Sequence, residues 1–260
     1  MYKHHEETIR NITEKLRADE SIQALIIAGS VAHGFADEDS DVDIMIVVPH
    51  EEYERRLRDN EALFYNKECC TYKKGYIDGK YISTEYIKQV IKYGGEPARF
   101  AFRDCRIAFS RIDGLEELMR EAASYPRRYR EVRMRRFYAH MLEWNWFFDD
   151  AVRRGNSYLA NLAMSNLVLY GGRAILAYNE ILFPYHKWFL KVLEQAPSKP
   201  ANMLELIGRV FDKRAPEDVA EFVSGVKNFT DWGIADYDWA NYLMRNDDLG
   251  CPEYLLLKVR

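Results

Sequence analysis

The stretch IIAGSVAHGFADEDSDVDIMIVV, residues 26–48, decides the fold prediction for this chain. An apolar run ends in Gly29-Ser30, a polar loop follows, and Asp41 and Asp43 open a second apolar run. Side chains two residues apart in a strand point to the same face, so we expect both carboxylates at one spot where a buried strand begins. Two carboxylates this close repel each other unless a cation lies between them, and Mg²⁺ is commonly held by one or two carboxylates plus substrate phosphates. The pattern predicts a metal-dependent enzyme that acts on phosphoryl groups.

The composition is typical of a globular protein. With 260 residues, of which 48% are hydrophobic and 30% charged, the chain can bury a sizeable core and form two modest domains. The formal net charge of −4 argues against a general nucleic-acid binder, which is usually basic. The polar start MYKHHEETIRN shows no signal pattern, and no apolar run reaches the roughly eighteen residues of a membrane span. We expect a cytoplasmic protein with four reduced thiols, Cys69, Cys70, Cys105 and Cys251.

The periodicity of the apolar residues changes once, near Pro126. Before it, strand and helical patterns alternate, with a charged helix predicted at 51–64 and a strand or hairpin at 69–83. After it, apolar residues recur only at helical spacing, and glycine or proline separates successive helices. The sequence predicts an α/β (α+β) domain with a small mixed sheet at residues 1–126, followed by an all-α helical bundle at residues 127–260. We expect a ligand-binding cleft between the two domains.

The motif itself resembles a known signature. Gly29-Ser30, ten intervening residues, and then Asp41-Val42-Asp43 preceded by Ser40 resemble the signature of the DNA-polymerase-β-like nucleotidyltransferases. With a helical bundle after it, the chain is similar to the two-domain aminoglycoside and lincosamide nucleotidyltransferases. The motif covers the first half of the chain, which would be the nucleotidyltransferase domain; the second half is matched by architecture and a few residues.

The resemblance implies a role for each residue of the motif. The amides of Gly29 and Ser30, with the serine hydroxyl, would hold nucleotide phosphate, since the unpaired N–H groups at a helix start favour anions. Asp41 and Asp43 would bind one or two Mg²⁺ ions that bridge the phosphates and the attacking oxygen. An acceptor hydroxyl would then attack the α-phosphate of a nucleoside triphosphate, with ATP the expected donor, and pyrophosphate would leave.

The family pattern also requires a third carboxylate on a neighbouring strand. Asp78, in the extended stretch GYIDGKYIS, is our choice, and it would share a face with Lys80. The alternative for Asp78 is a surface turn, because Asp-Gly is a common turn pair. Glu85 competes for the role, but Ser83-Thr84-Glu85 has the pattern of a helix start, where an acid stabilises the dipole.

Further site residues are predicted in the helical half. In the resembling enzymes a carboxylate from the helical domain can serve as general base, and Glu143 is the best placed, with Asp149 and Asp150 as alternatives. A basic residue that reaches the triphosphate is predicted at Lys187, with Arg173 second. For each of these residues an ordinary solvated or packing role is the competing interpretation.

The function predicted from these residues is transfer of a nucleoside monophosphate to a hydroxyl of a small molecule, with an aminoglycoside- or lincosamide-like antibiotic as the leading acceptor class. The alternatives are transfer to a protein or RNA, and a nucleotide-binding protein whose transferase site has lapsed. The arginine stripe in RRYREVRMRR, residues 127–136, is more typical of a solvated helix face than of a nucleic-acid site. The oligomeric state is expected to be a monomer or a homodimer.

Overall fold

The computed structural model describes residues 1–248, and Cys251 lies outside them. The chain divides into two compact units, Met1–Ser124 and Tyr125–Arg260. Helices and strands alternate in the first unit, as follows: α1 Lys3–Arg17, β1 Ala24–Ile27, α2 Gly29–His33, β2 Val42–Val47, α3 His50–Arg58, β3 Leu63–Asn66, β4 Ile77–Ile82, α4 Thr84–Tyr93, α5 Glu96–Phe100, β5 Arg106–Ser110 and α6 Leu115–Ala122.

The strands of the first unit form one five-stranded sheet in the order β3-β4-β2-β1-β5. β2 and β4 pair in parallel, whereas the other neighbouring strands pair antiparallel. The predicted small mixed sheet is therefore confirmed. β2 lies at the centre and is buried along almost its whole length, which agrees with the continuous apolar run in its sequence.

Both faces of the sheet are covered, because the central strands are apolar on both sides. One face packs on α1 in a cluster that includes Ile12, Leu16, Leu25, Ile27, Ile44 and Ile46. The other packs on α4 and α6 in a cluster that includes Ile26, Met45, Val47, Ile87, Leu115 and Met119. Since side chains alternate along a strand, Asp43 lies on the same face as Met45 and Val47, at the strand's half-buried beginning.

The described part of the second unit contains helices and no strand, as the sequence predicts. Its longest helices, α7 and α8, pack against each other and are separated by Gly155, whose left-handed conformation (φ 64°) ends α7. Within residues 1–248 no helix combines the length and apolar character needed to cross a membrane. The α-helices of this unit are α7 Arg130–Arg154, α8 Ser157–Tyr178, α9 Phe189–Glu194, α10 Met203–Lys213, α11 Pro216–Lys227 and α12 Trp239–Leu243.

One predicted element of the first unit is wrong in part. The charged helix expected at 51–64 ends at Arg58, and a separate strand, β3, begins at Leu63. Leu63 and Tyr65 are exposed, because β3 is an edge strand with one partner. The strand was missed because its four residues are too few to show a period of two against the helical pattern before them.

Candidate active site

The turn between β1 and α2 brings the backbone against the aspartate strand. Gly29 has φ of +62°, and a Cβ atom placed on it would lie 1.7 Å from Asp43 Oδ2. The preceding residue is tied to the same strand, because Ala28 N–H donates a hydrogen bond of 2.9 Å to the Asp43 carbonyl. Only glycine combines this conformation with this close approach. The Gly29 position predicted to bind phosphate therefore borders the Asp43 carboxylate directly.

The three predicted carboxylates lie together. Oxygen atoms of Asp41, Asp43 and Asp78 are all within 4.8 Å of one another. Asp41 immediately precedes β2, while Asp43 and Asp78 are direct partners in the parallel β2–β4 ladder. Glu85, the competing candidate, lies in the first turn of α4 and forms an ion pair of 2.6 Å with Lys88. Asp78 thus joins the cluster, and Glu85 does not.

Gly79 explains how Asp78 reaches its position. Asp78-Gly79 lies inside β4, not in a turn, and the Gly79 amide donates to Asp78 Oδ1 at 2.8 Å. A Cβ atom on Gly79 would come within 2.6 Å of Ile44 Cγ1 and 2.9 Å of the Ile44 carbonyl oxygen. The glycine therefore permits the close approach of β4 to β2 that places Asp78 beside Asp43.

The cluster fits a divalent cation by its donor chemistry. Mg²⁺ takes oxygen ligands at about 2.0–2.1 Å in an octahedron, so two of its ligand atoms are separated by up to about 4.2 Å. The carboxylate oxygens, which lie within 4.8 Å of one another, are close to this spacing, so small side-chain rotations would let them share one ion or hold two. Without a cation, the three negative charges repel one another. A site of this composition can neutralise and align phosphate oxygens.

Ser30 adds an unpaired polar group next to the cluster. Ser30 is only 4% exposed, and within residues 1–248 its hydroxyl has no hydrogen-bond partner. Its carbonyl is occupied, because it accepts the amides of Phe35 and Ala36 at 2.8 and 3.1 Å. A buried hydroxyl without a partner costs about 1–3 kcal/mol, so its presence here indicates a ligand atom as the missing partner.

Tyr76 is a neighbour of the cluster that the sequence analysis missed. Its carbonyl accepts the Val42 amide at 3.1 Å, which places Tyr76 opposite Asp41. A hydrogen bond with Asp41 and the charge of that carboxylate, followed by burial and the charges of Asp78 and Asp43, raise the pKa of the Tyr76 hydroxyl. The alternation of β4 could have identified it, because Tyr76 is two residues before Asp78.

The second unit holds the predicted general-base candidates. Glu143 is partly buried on α7 and bonded to His140 Nδ1 at 2.9 Å. Asp150 forms ion pairs with Arg153 and, at 2.7 Å, with Arg154, and hydrogen bonds from these arginines lower its pKa. Asp149, on the same helix, is exposed. The choice of Glu143 as general base stays a prediction.

The predicted basic residues of the second unit have different surroundings. The Arg173 guanidinium lies between two aromatic rings, with its central carbon 4.1 Å from the Phe137 centroid and 4.6 Å from the Phe183 centroid. Lys187 is exposed, and its ammonium contacts only the Trp188 ring, at 5.0 Å, among the interactions described for residues 1–248. The packing interpretation suits Arg173, and Lys187 keeps a mobile charge available for a ligand.

His140, which is hydrogen-bonded to Glu143, makes a pH-dependent contribution to the stability of the second unit. His140 also bonds Asp247 through Nε2 at 2.8 Å. Burial opposes its charge, but the hydrogen bonds that His140 donates to Asp247 and Glu143 outweigh burial and raise the pKa of His140 above 6.5. The stabilisation is therefore complete below pH 6.5 and lost as the pH rises through the raised pKa.

We expect the melting temperature of the wild-type chain to fall more steeply than that of His140→Gln as the pH rises above 6.5, because glutamine has no charge to lose. Calorimetry of both proteins across this range measures the difference. His5 and His33 are present in both proteins, and burial lowers their pKa values. They therefore titrate below this range and do not contribute to the difference between the two curves. Parallel curves for the two proteins would contradict the assignment.

Comparison with known proteins gives a family match within the first unit. Residues 9–93 match the family model of the nucleotidyltransferase domain, and they include all three carboxylates and Gly29-Ser30. Among solved structures, the chain is similar to a nucleotidyltransferase-like protein from Exiguobacterium sibiricum 255-15, with 14% identity, a TM-score of 0.49 and coverage of 98% of this chain and 87% of that one. No curated protein matches the chain. The match over residues 9–93 confirms the predicted resemblance: this segment of the first unit is similar to the nucleotidyltransferase domain found in the DNA-polymerase-β-like superfamily.

Proposed function

We propose that this protein transfers a nucleoside monophosphate, with ATP as donor and Mg²⁺ as cofactor, to a hydroxyl of a small molecule of the aminoglycoside or lincosamide kind. The observation that carries the proposal is the cluster of Asp41, Asp43 and Asp78 within 4.8 Å, at the border of Gly29 and the buried Ser30 hydroxyl. The antibiotic acceptor rests on the two-unit organisation, which is similar to that of the antibiotic nucleotidyltransferases.

Each residue of the candidate site would have a separate role in the reaction. Asp41, Asp43 and Asp78 would hold Mg²⁺, which when bound neutralises phosphate charge and acidifies a coordinated hydroxyl. Ser30 would donate its hydroxyl to a phosphate oxygen, and Gly29 would let the phosphate approach the backbone. The acceptor oxygen forms a bond with the α-phosphorus as the bond from that phosphorus to the leaving pyrophosphate breaks.

A base must remove the proton of the acceptor hydroxyl, and we assign this role to Glu143. Its partial burial and single histidine partner leave one carboxylate oxygen with capacity to accept a proton. Lys187 would neutralise the triphosphate or the departing pyrophosphate as a flexible point charge, and Arg173 is the second choice for that role.

A nucleic-acid acceptor is less well supported. The arginines of the basic stripe are engaged within the second unit: Arg130 donates to the Tyr178 carbonyl at 2.7 Å, Arg136 pairs with Asp247 at 3.1 Å, and Arg133 is only 6% exposed. Arginines that already make contacts within the protein have little charge available for the phosphates of a nucleic acid. A lapsed site would be favoured by an Asp78 turned away from the other two aspartates, and Asp78 lies with them.

Pyrophosphate release tests the proposal directly. Each NTP is supplied with Mg²⁺ and a panel of aminoglycosides and lincosamides to the wild-type chain, Asp78→Asn and Glu85→Gln. We expect acceptor-dependent release that Asp78→Asn reduces by about a hundredfold or more, because an interaction needed for charge neutralisation is lost. Glu85→Gln should retain wild-type release, since its carboxylate lies outside the cluster.

Each other result has a distinct meaning. Release that needs no added acceptor, or only an added protein or RNA, would exclude the small-molecule class. Equal losses in the two variants would contradict the assignment of Asp78 as the third carboxylate. No release with any acceptor would contradict the proposed activity.

A further inference from the structure

Asp41 is the least constrained member of the carboxylate cluster. Asp43 and Asp78 are held by the β2–β4 ladder, whereas β2 begins one residue after Asp41. The three negative charges lie within 4.8 Å of one another and repel when no cation is bound. Because Asp41 lies outside β2, contacts beyond the regular pairing of β2 with β4 contribute to holding it against this repulsion.

The peptide group before Asp41 is tied by two side chains. The Ser40 carbonyl accepts a hydrogen bond of 2.6 Å from the Tyr72 hydroxyl and one of 3.0 Å from His5 Nε2. On the other side, the Val42 amide donates to the Tyr76 carbonyl at 3.1 Å. Both peptide groups that flank Asp41 are therefore fixed by parts of the chain distant in sequence.

The loop before Ser40 is closed by its own hydrogen bonds. The Ser40 hydroxyl accepts the Asp37 amide and donates to Asp37 Oδ1, both at 2.9 Å. These local bonds shape the turn but do not join it to the rest of the unit. At the Glu38 carbonyl and the Asp39 carboxylate the loop is joined to His4 at 3.0 Å and to Lys74 at 2.5 Å, and at the Ser40 carbonyl it is joined to His5, on α1, and to Tyr72, which precedes β4.

His5 and Tyr72 support each other. Their rings meet edge to face at 5.4 Å between centroids, and the Tyr72 ring also contacts His4 at 4.3 Å. His5 is completely buried, and within residues 1–248 its Nδ1 has no hydrogen-bond partner. Donation to a carbonyl requires the proton on Nε2, and in the neutral ring Nδ1 is then an acceptor. Burying an unpaired ring nitrogen is costly, and the hydrogen bond to Ser40 is the identifiable interaction that offsets it.

We propose that His5 and Tyr72 are positioning residues, which hold the backbone of Asp41 so that the three carboxylates are ready to bind a divalent cation. The proposal rests on the proposed function, since it assumes that the cluster binds metal. Groups that orient the ligands of a metal typically change metal affinity or activity by about 10–100-fold when removed. Because these two residues act on the peptide group next to the ligand, we expect an effect of about 3–10-fold for the loss of either hydrogen bond.

Mn²⁺ binding to the full chain without nucleotide, followed by electron paramagnetic resonance, tests the proposal. Tyr72→Phe removes one donor and keeps the ring, and we expect its Mn²⁺ dissociation constant to rise by about 3–10-fold. Tyr53→Phe is the matched control: Tyr53 is a half-buried tyrosine on α3 for which residues 1–248 show no hydroxyl hydrogen bond. His5→Gln can still donate to Ser40 and should bind Mn²⁺ more tightly than His5→Leu, which cannot.

Activity measured against Mg²⁺ concentration separates positioning from loss of fold. Tyr72→Phe should regain wild-type kcat at high Mg²⁺, while its half-saturating Mg²⁺ rises by the same factor as the Mn²⁺ constant. Wild-type Mn²⁺ affinity in both Tyr72→Phe and His5→Leu would overturn the positioning role even if pyrophosphate release continued. Weaker Mn²⁺ binding by Tyr72→Phe in a chain that releases no pyrophosphate would support positioning and contradict the transferase. Absence of Mn²⁺ binding by the wild-type chain would overturn both.

Discussion

Asp43→Asn is expected to reduce nucleotidyl transfer by about a thousandfold or more. A metal ion supplies several kcal/mol of charge stabilisation in a transition state, and each 1.36 kcal/mol corresponds to a factor of ten in rate. Asp43 is the central carboxylate: it is the ladder partner of Asp78, and it borders Gly29. Asparagine keeps the shape of the side chain but removes the negative charge that a divalent cation requires.

The fold of the metal-free Asp43→Asn variant should be intact. Removing one of three mutually repelling charges relieves repulsion, so its melting temperature without Mg²⁺ should equal or exceed that of the wild type. Added Mg²⁺ should then raise the melting temperature of the wild type and leave that of the variant nearly unchanged. A ligand raises stability only when it binds the folded state more tightly than the unfolded state, and the variant has lost its Mg²⁺ site.

Asp39→Asn is the matched control for Asp43→Asn. Asp39 lies in the loop before β2, is exposed, and pairs with Lys74 at 2.5 Å instead of joining the cluster. The same change in charge at this position should leave transfer close to the wild-type rate, because an exposed ion pair contributes about 1 kcal/mol at most. Pyrophosphate release by the three proteins is the measurement, and equal rates for wild type and Asp43→Asn would exclude the cluster as the metal site.

The sequence was sufficient to predict the core of the site because its geometry is local. Asp41 and Asp43 are separated by one residue at the start of an apolar strand, so strand periodicity alone places them together. The pairing of Asp78 with Asp43 is not local, and its prediction depended on the resemblance to a family. The physical cause, Gly79 allowing two strands to approach, became visible only from the contact with Ile44.

The periodicity of apolar residues could not predict interactions between parts of the chain that are distant in sequence. His5 is 35 residues from Ser40, and on sequence alone it is one more polar residue near the start of a helix. The partnership of His140 with Asp247 joins positions more than a hundred residues apart, through an acid with no distinguishing pattern around it. Both contacts depend on packing that brings the elements together, which single-sequence patterns do not encode.

Gly29→Ala is expected to lower transfer by about a hundredfold, with Gly34→Ala as its matched control. Both glycines flank α2 and both have positive φ, +62° and +71°. An alanine at either position therefore carries the left-handed backbone cost of about 1–2 kcal/mol. A Cβ at Gly34 would meet no atom within 4 Å, whereas one at Gly29 would lie 1.7 Å from Asp43 Oδ2.

The two alanine variants thus separate backbone strain from displacement of the carboxylate. Gly34→Ala should lose a few degrees of melting temperature and keep most of its activity, because each kcal/mol corresponds to about 2–4 °C in a chain of this size class. Gly29→Ala must move the Asp43 carboxylate by more than 1 Å to relieve the contact, and a misplacement of about that size can cost a hundredfold in rate. Steady-state pyrophosphate release and calorimetry on both variants measure the two effects. If the variants lost activity in equal proportion, strain in α2 would be the cause, and the close approach of Gly29 to Asp43 would have no part in catalysis.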